Sequence, residues 1–414
     1  MEAWFVILVS IILPCIILFR RNNRKKLPPG PSFFSSHLLL LTRSPPELQS
    51  IIKRLKSKYG PLVTLSIGTH PLVLIGNHSL SRQLLIHKAT AFSDRPKAFR
   101  IGGIFSTPYG PTWRLFRYNL VSIFLHPSNI KSYSWARKSS INIIVRHLQE
   151  TVGTVNVVDH IQLAMLRLSL MMCFGDDREY HDIARVQGGL VSLVCSLFFN
   201  AFLVSPVLAK ILFRNSWKKY EQLREDQKEL LISLIESRTE ALAVRSEIQS
   251  VAYLDTLVKL QVPNHEETGG KLTQKEMVSM CGEFIVVVTE TTTNALQWIM
   301  ANLVKHPSIQ SKLYDEIVSV IGQPPPLGVN ELESVINEES LQKMIYLKAV
   351  VLEGLRRHPP GHLLLPHRVG EAVELQGYMI PKGASISFMV AEMGWDPEVW
   401  DDPGHGVQAR EVLV

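Results

Sequence analysis

The sequence is poor in cysteine: Cys15, Cys173, Cys195 and Cys281 are scattered over 414 positions and none belongs to a C-x-x-C pair. That excludes a disulfide framework and a zinc site built on paired cysteines, and it suits a body kept reduced. No internal repeat and no low-complexity tract is present, and no linker is long enough to divide the body, so a disordered or collagen-like chain is excluded. Charge of one sign is not in broad excess either. The chain carries 44 Lys and Arg against 37 Asp and Glu, a net +7. Five of those cations, Arg20, Arg21, Arg24, Lys25 and Lys26, crowd into one short run with Glu2 the sole acid before them. That local +4 leaves only +3 for residues 27 to 414. A phosphate-tracking surface, and with it a nucleic-acid partner, is excluded.

Against these absences stands one dense apolar run. Trp4 to Phe19, WFVILVSIILPCIILF, has sixteen residues without a charge. Ala3 and the long side chains of Arg20 and Arg21 extend it toward the length of a membrane span. A cleavable signal peptide puts cations before the apolar run and a small-residue cleavage site after it, whereas here the cations follow and no A-x-A pattern does. The reading is a single retained anchor over residues 1–26 with the downstream body in the cytosol; a buried core helix is the alternative. Leu27-Pro28-Pro29-Gly30-Pro31 then reads as a stiff hinge over 27–31, or as an ordinary proline-rich loop.

Helical periodicity dominates the body. Residues 46–58 predict an amphipathic helix, and further helices are predicted near 112–125, 129–150, 159–174, 216–243, 273–305, 307–321 and 341–357. Two short β-type runs between Pro61 and Asn77 predict a hairpin. Leu375 to Ile380 and Ala384 to Val390 predict short strands around Pro381-Lys382-Gly383. The expected fold is mainly α with small β portions near each end.

Three motifs carry chemistry. Trp113 and Arg117 stand at i and i+4, where an indole N–H and a guanidinium can meet one carboxylate; a core Trp beside a surface Arg has the same spacing. Glu353 and Arg356 stand at i and i+3, either as a commonplace exposed pair or as a buried ion pair that needs further partners. Thr289 to Thr293 interrupts an apolar helix with a polar cluster. There Glu290 and Thr291 can hydrogen-bond one water and pass a proton to a ligand, unless that side of the helix is simply exposed.

Taken in order, these elements resemble the cytochrome P450 family, in its membrane-anchored microsomal class as found in plants. The resemblance runs from residue 1 to about Pro403: anchor, basic run, Pro-Pro-Gly-Pro hinge, W-x-x-x-R, acid-Thr helix, E-x-x-R, then Trp395-Asp396-Pro397 and Trp400-Asp401-Asp402-Pro403. It implies haem as cofactor, with Trp113, Arg117 and His367 holding haem propionates. Glu353 and Arg356 would be the ion pair that locks the core beneath the haem, and Glu290 and Thr291 the catalytic acid-alcohol pair. It also implies an NADPH-dependent reductase as partner, a lipophilic small-molecule substrate, and residence in the endoplasmic reticulum membrane with the domain facing the cytosol. Specificity would come from the weakly patterned stretches near 99–111, 190–215 and 361–366.

Two departures from the family pattern bear on activity. Val287 and Val288 replace the small residues before x-acid-Thr, which narrows the groove over the porphyrin. The proximal run Phe-x-x-Gly-x-Arg-x-Cys-x-Gly is missing, so no cysteine has the setting of an iron ligand, and the push that a thiolate gives to O–O cleavage is lost. The expectation is a cytochrome P450 domain over 32–403, C-terminally incomplete, followed by a tail at 404–414 without family resemblance. Such a chain is a monooxygenase by descent and inactive as it stands; the alternative is a non-catalytic membrane-anchored binding protein.

Overall fold

The computed structural model describes residues 27–67, 70–96, 103–150, 153–178, 180–244, 250–263, 269–323 and 338–401. The predicted anchor at 1–26 and the tail at 404–414 lie outside the described residues. The body is mainly helical, with one four-stranded sheet and one hairpin.

Helix starts follow local chemistry. Helix α1 spans Pro45–Tyr59. Its first turn is closed by Glu47, which accepts from the Ser44 N–H at 2.7 Å and from the Ser44 hydroxyl at 2.8 Å, and Pro45 occupies a position whose N–H has no helical partner. Helix α2, Pro111–Tyr118, is shorter than predicted. It passes into a wide turn in which the Leu125 N–H reaches back five residues to the Leu120 carbonyl at 2.8 Å. The predicted 129–150 helix divides at Tyr133 into Pro127–Ser132 and Ser134–Glu150. The buried Tyr133 ring packs there on Phe124, 6.3 Å between centroids. Helix α3 is Val157–Phe174, α4 is Tyr180–Val194, α5 is Arg214–Val244, α6 is Gln274–Lys305 and α7 is Ile345–Arg357.

The largest core lies where α3, α5 and α6 meet. Phe124, Tyr253 and Phe284 form its aromatic centre, with centroids 5.0 to 5.5 Å apart. Each such side chain contributes about 1.5–3 kcal/mol when fully buried. Helix α3 is apolar and long enough to cross a membrane, yet ten of its eighteen residues are buried, six of them in this core. Beside it, Arg238 grips the buried Asp255 through two bonds of 2.9 and 2.6 Å.

Strands β1 (Leu62–Ile67) and β2 (His70–Ile75) form the predicted hairpin, with Leu62 opposite Ile75. The stretch Leu375–Ile380 is not one strand. It is a second hairpin, with β4 at Val373–Leu375 and β5 at Tyr378–Ile380. Gln376 and Gly377 at its tip have φ of 50° and 80°, the twist a two-residue hairpin loop requires. Strand β6, Ser385–Phe388, pairs in parallel with β2, Val73 opposite Ile386, and antiparallel with the short β3 at His367–Arg368. The sheet order is therefore β1-β2-β6-β3, so the early hairpin shares one sheet with β3 and β6 while β4 and β5 stay apart.

Gly30 crosses β1 so closely that a Cβ would lie 2.0 Å from the Thr64 carbonyl oxygen, and the Thr64 N–H bonds to the Pro29 carbonyl at 2.9 Å. Gly30→Ala must displace the 27–31 segment from the sheet. A loss of about 1–3 kcal/mol in chemical denaturation is expected, the usual cost of forced overpacking.

Candidate functional site

Helix α6 crosses the body and carries most of the polar cluster. It begins at a capping box in which the Glu276 N–H reaches the Thr273 hydroxyl at 3.2 Å and Glu276 accepts the Thr273 N–H at 2.9 Å. It runs unbroken through Val287 and Val288, both half-buried, the latter packed on the main core. Thr289 is buried, with its hydroxyl 3.2 Å from that of Ser169 on α3. Glu290 accepts from the amides of Gln162 on α3 and Gln187 on α4 at 3.3 and 3.2 Å. Thr291 is exposed and donates its hydroxyl to the Val287 carbonyl at 2.7 Å. The acid and the alcohol are thus neighbours in sequence with separate anchors, one turned toward α3 and α4 and the other toward the open side of α6.

Trp113 and Arg117 share one face of α2, with the guanidinium 5.6 Å from the indole centroid. Tyr109 packs on Trp113 at 5.3 Å. Trp113 is half-buried and Arg117 exposed, and among the described residues no carboxylate lies in salt-bridge range of Arg117. His367 lies on β3, where its Nδ1 meets the Phe92 carbonyl and its ring stands edge-on to Phe388 at 6.0 Å. Burial, aided by the nearby Arg95, holds its imidazole below the usual histidine range.

Arg95 is the functional candidate that sequence reasoning missed. Its guanidinium donates to the Leu365 and Pro366 carbonyls at 3.2 and 3.0 Å, immediately before His367. Burial lowers its pKa, opposed by the attraction of Glu283 and Asp94. The only local signal is a cation followed by proline, Arg95-Pro96, which many turns share. Its position against 365–367 depends on the Asp94–Arg368 bridge between distant segments, where the Arg368 N–H meets the Asp94 carbonyl at 2.7 Å.

Glu353 and Arg356 form a fully buried, two-pronged pair with bonds of 2.6 and 2.7 Å. A third Arg356 donor meets the Gly394 carbonyl, and the guanidinium lies 4.9 Å from the Trp400 ring. Arg357 faces Trp395 at 4.8 Å, and the Trp395 indole N–H donates to the Arg357 carbonyl at 2.8 Å. Nearby, a cavity of about 990 Å³ opens between α1 and the chain after α7, bordered by Lys56, Trp298, His358 and Asp396. Trp298 stacks flat on His358, 4.3 Å apart at 6°. None of Glu290, Thr291, Trp113, Arg117 or His367 lines this cavity.

Cys173 and Cys281 are buried side by side in the main core, where burial and mutual contact push the Cys173 thiol well up, and Cys195 is exposed just past α4.

The arrangement is a mainly helical fold with a long crossing helix, a buried glutamate–arginine pair, and two arginines, Arg95 and Arg117, on separate elements. A zebrafish cytochrome P450 solved with progesterone shares this fold, with a TM-score of 0.72 at 20% identity over 90% of this chain and 85% of that one. A second zebrafish structure, solved with abiraterone, gives 0.69 at 22% identity, with 89% and 83% covered. The family model for cytochrome P450 matches residues 27–405, and the chain belongs to that family. Cytochrome P450 89A9 of Arabidopsis thaliana is 36% identical over 373 residues, covering 86% of this chain and 71% of the relative. Flavonoid 3′-monooxygenase of Arabidopsis thaliana is 27% identical over 363 residues, covering 83% and 67%. Membership implies haem as cofactor, a reductase as electron source and a small molecule as substrate in general terms.

Removing one partner of a buried pair leaves the other charge without compensation, at a cost of about 3–5 kcal/mol. Glu353→Ala is therefore expected to lower unfolding free energy by that amount. Glu47→Ala, at an exposed helix start, should lower it by less than half as much in the same denaturation assay.

Proposed function

We propose that the chain is a membrane-anchored, haem-binding protein of the monooxygenase lineage that keeps the polar frame for the cofactor and has no cysteine placed to ligate iron among its described residues. The observation that carries this reading is two groups of nitrogen donors on separate elements, Arg95 with His367 beside β3 and Trp113 with Arg117 on α2, where among the described residues neither arginine has a carboxylate in salt-bridge range. A desolvated arginine, an indole N–H and an uncompensated guanidinium suit an anionic ligand with separated carboxylates. The haem propionates have that chemistry, so the edge of the cofactor fits.

The centre does not fit. Cys173 and Cys281 are committed to the core and Cys195 is at the surface, so an axial thiolate cannot be assigned among the described residues and no oxygen-transfer step is derived. In the family, haem supplies the iron at which dioxygen is reduced with electrons from a reductase. On this chain, Arg95, Trp113, Arg117 and His367 would neutralise and orient the cofactor's carboxylates. Thr291 offers one hydroxyl, already directed to the Val287 carbonyl, while Gln162 and Gln187 hold Glu290 away from it. Glu353 and Arg356 would keep α7 in register beneath the pocket.

The lineage activity is insertion of oxygen into a lipophilic small molecule, with electrons from an NADPH-dependent reductase at the endoplasmic reticulum surface. Residues 1–26 would be the anchor, 27–31 the hinge and 32–403 the domain. Val287 and Val288 favour a second reading, a non-catalytic binder of lipophilic ligands, because β-branched side chains narrow the distal groove.

Haem titration of the full chain in detergent, followed by absorbance and by quenching of tryptophan fluorescence, tests the reading. Saturable binding is expected, weakened about tenfold or more in the Arg95→Gln, Arg117→Gln double variant, since each lost charge-assisted bond is worth about 1.5–3 kcal/mol before screening. Unsaturable binding, or equal affinity in the double variant, contradicts it.

A further inference from the structure

Glu283 lies on α6 eight residues before Thr291 and has no part in the reading above. One of its oxygens accepts the N–H of Ile104 at 2.8 Å and of Phe105 at 3.1 Å, and the other shares the Phe105 N–H at 3.2 Å. Both donors belong to a tight turn at 103–107, closed by the Thr107 N–H and hydroxyl on the Gly103 carbonyl at 3.1 and 2.6 Å. The turn can approach so closely only because residue 103 is glycine. Its φ is +98°, and a Cβ there would lie 2.3 Å from the Glu283 carboxylate. From this turn the chain runs through Tyr109 directly into α2, which carries Trp113 and Arg117. Glu283, Val287 and Thr291 follow one another at intervals of four, so they occupy successive turns on one side of α6.

We propose that Glu283 is a positioning residue that seats the 103–107 turn on α6 and so fixes both the approach to Thr291 and the start of α2. The seat responds to protons. Burial raises the Glu283 carboxyl to about 7, against the two backbone N–H groups and Arg95, which favour the anion. The facing charged or titratable groups are Arg95 on the 94–96 segment, with Asp94 beyond it, and Tyr253 on the short helix Tyr253–Val258; the turn itself brings none. One oxygen already accepts from both donors, so the other can hold a proton with the turn in place.

The sign follows from linkage. A carboxyl raised when seated, and ordinary once released into water, binds its proton more tightly in the seated state. Seating is therefore strongest at low pH and weakens as pH rises through 7. Between pH 6 and pH 8 the seated-to-released ratio falls about tenfold, given an ordinary glutamate value near 4.3 after release.

Amide hydrogen exchange of the full chain in detergent, corrected for the intrinsic pH dependence of exchange, reads this directly at Ile104 and Phe105. Wild type is expected to show roughly tenfold greater protection at pH 6 than at pH 8. Glu283→Gln, which mimics the protonated form, should show the same protection at both. Glu283→Ala should lose protection at both while the α3 amides stay protected, and Gly103→Ala should do the same. Wild-type protection in Glu283→Ala overturns the seating. Equal wild-type protection at pH 6 and pH 8, or a pH response that survives in Glu283→Gln, overturns the proton dependence. The consequence for ligand entry rests on the haem-pocket reading, whereas the exchange signal does not, so failure of the haem titration and failure of the seat are separate results.

Discussion

The rest of the structure depends on the buried pair of Glu353 and Arg356. Two charges removed from water are tolerated only when every donor and lone pair is engaged. Here two bonds join the pair, a third reaches the Gly394 carbonyl, and Trp400 covers the guanidinium. The pair thereby ties α7 to the chain after β6. Gly394 in turn approaches so closely that a Cβ would lie 2.2 Å from the Arg356 carbonyl oxygen. Helix α7 also packs on α6 at Gly354, where a Cβ would lie 2.4 Å from Ile299. The position of the polar cluster on α6 is therefore set partly by an ion pair on another helix.

A second electrostatic frame holds the opposite side. Arg95 joins the carbonyls before His367 to the field of Glu283, and Glu283 holds the turn that leads into α2. Both charges are displaced from their ordinary values by burial, and each opposes the displacement of the other. This exchange of partial compensation links the 94–96 bridge and the 103–107 turn to α6, which is distant from both in sequence. Among the described residues neither Arg95 nor Arg117 has a carboxylate in salt-bridge range.

Helices with strong apolar periodicity were legible in the sequence: Pro307–Ile321 matches its predicted bounds, and α6 begins one residue later than predicted, after its Thr273 cap. The divided helix at Tyr133 and the wide turn after Tyr118 were not, because periodicity reports the buried face and not where a ring or a shifted hydrogen bond interrupts it. The parallel pairing of β2 with β6 joins residues about three hundred apart, and no local pattern encodes it. The helix Leu197–Val204, apolar but for Asn200, gives no polar face and so no period to read. At the site, Trp113–Arg117 and Glu353–Arg356 were legible because helical spacing brings each pair together. Arg95, Gln162, Gln187 and Glu283 were not, since their partners come from other elements.

The central proposal is that this chain, a member of the cytochrome P450 family, holds the carboxylate edge of haem with no thiolate for the iron among its described residues. The most direct test is the carbon monoxide difference spectrum of the reduced, haem-loaded 414-residue chain. The account predicts bound haem without a thiolate-type Soret band. A thiolate-type band from this chain contradicts it, because among the described cysteines Cys173 and Cys281 are buried in the core and Cys195 is at the surface.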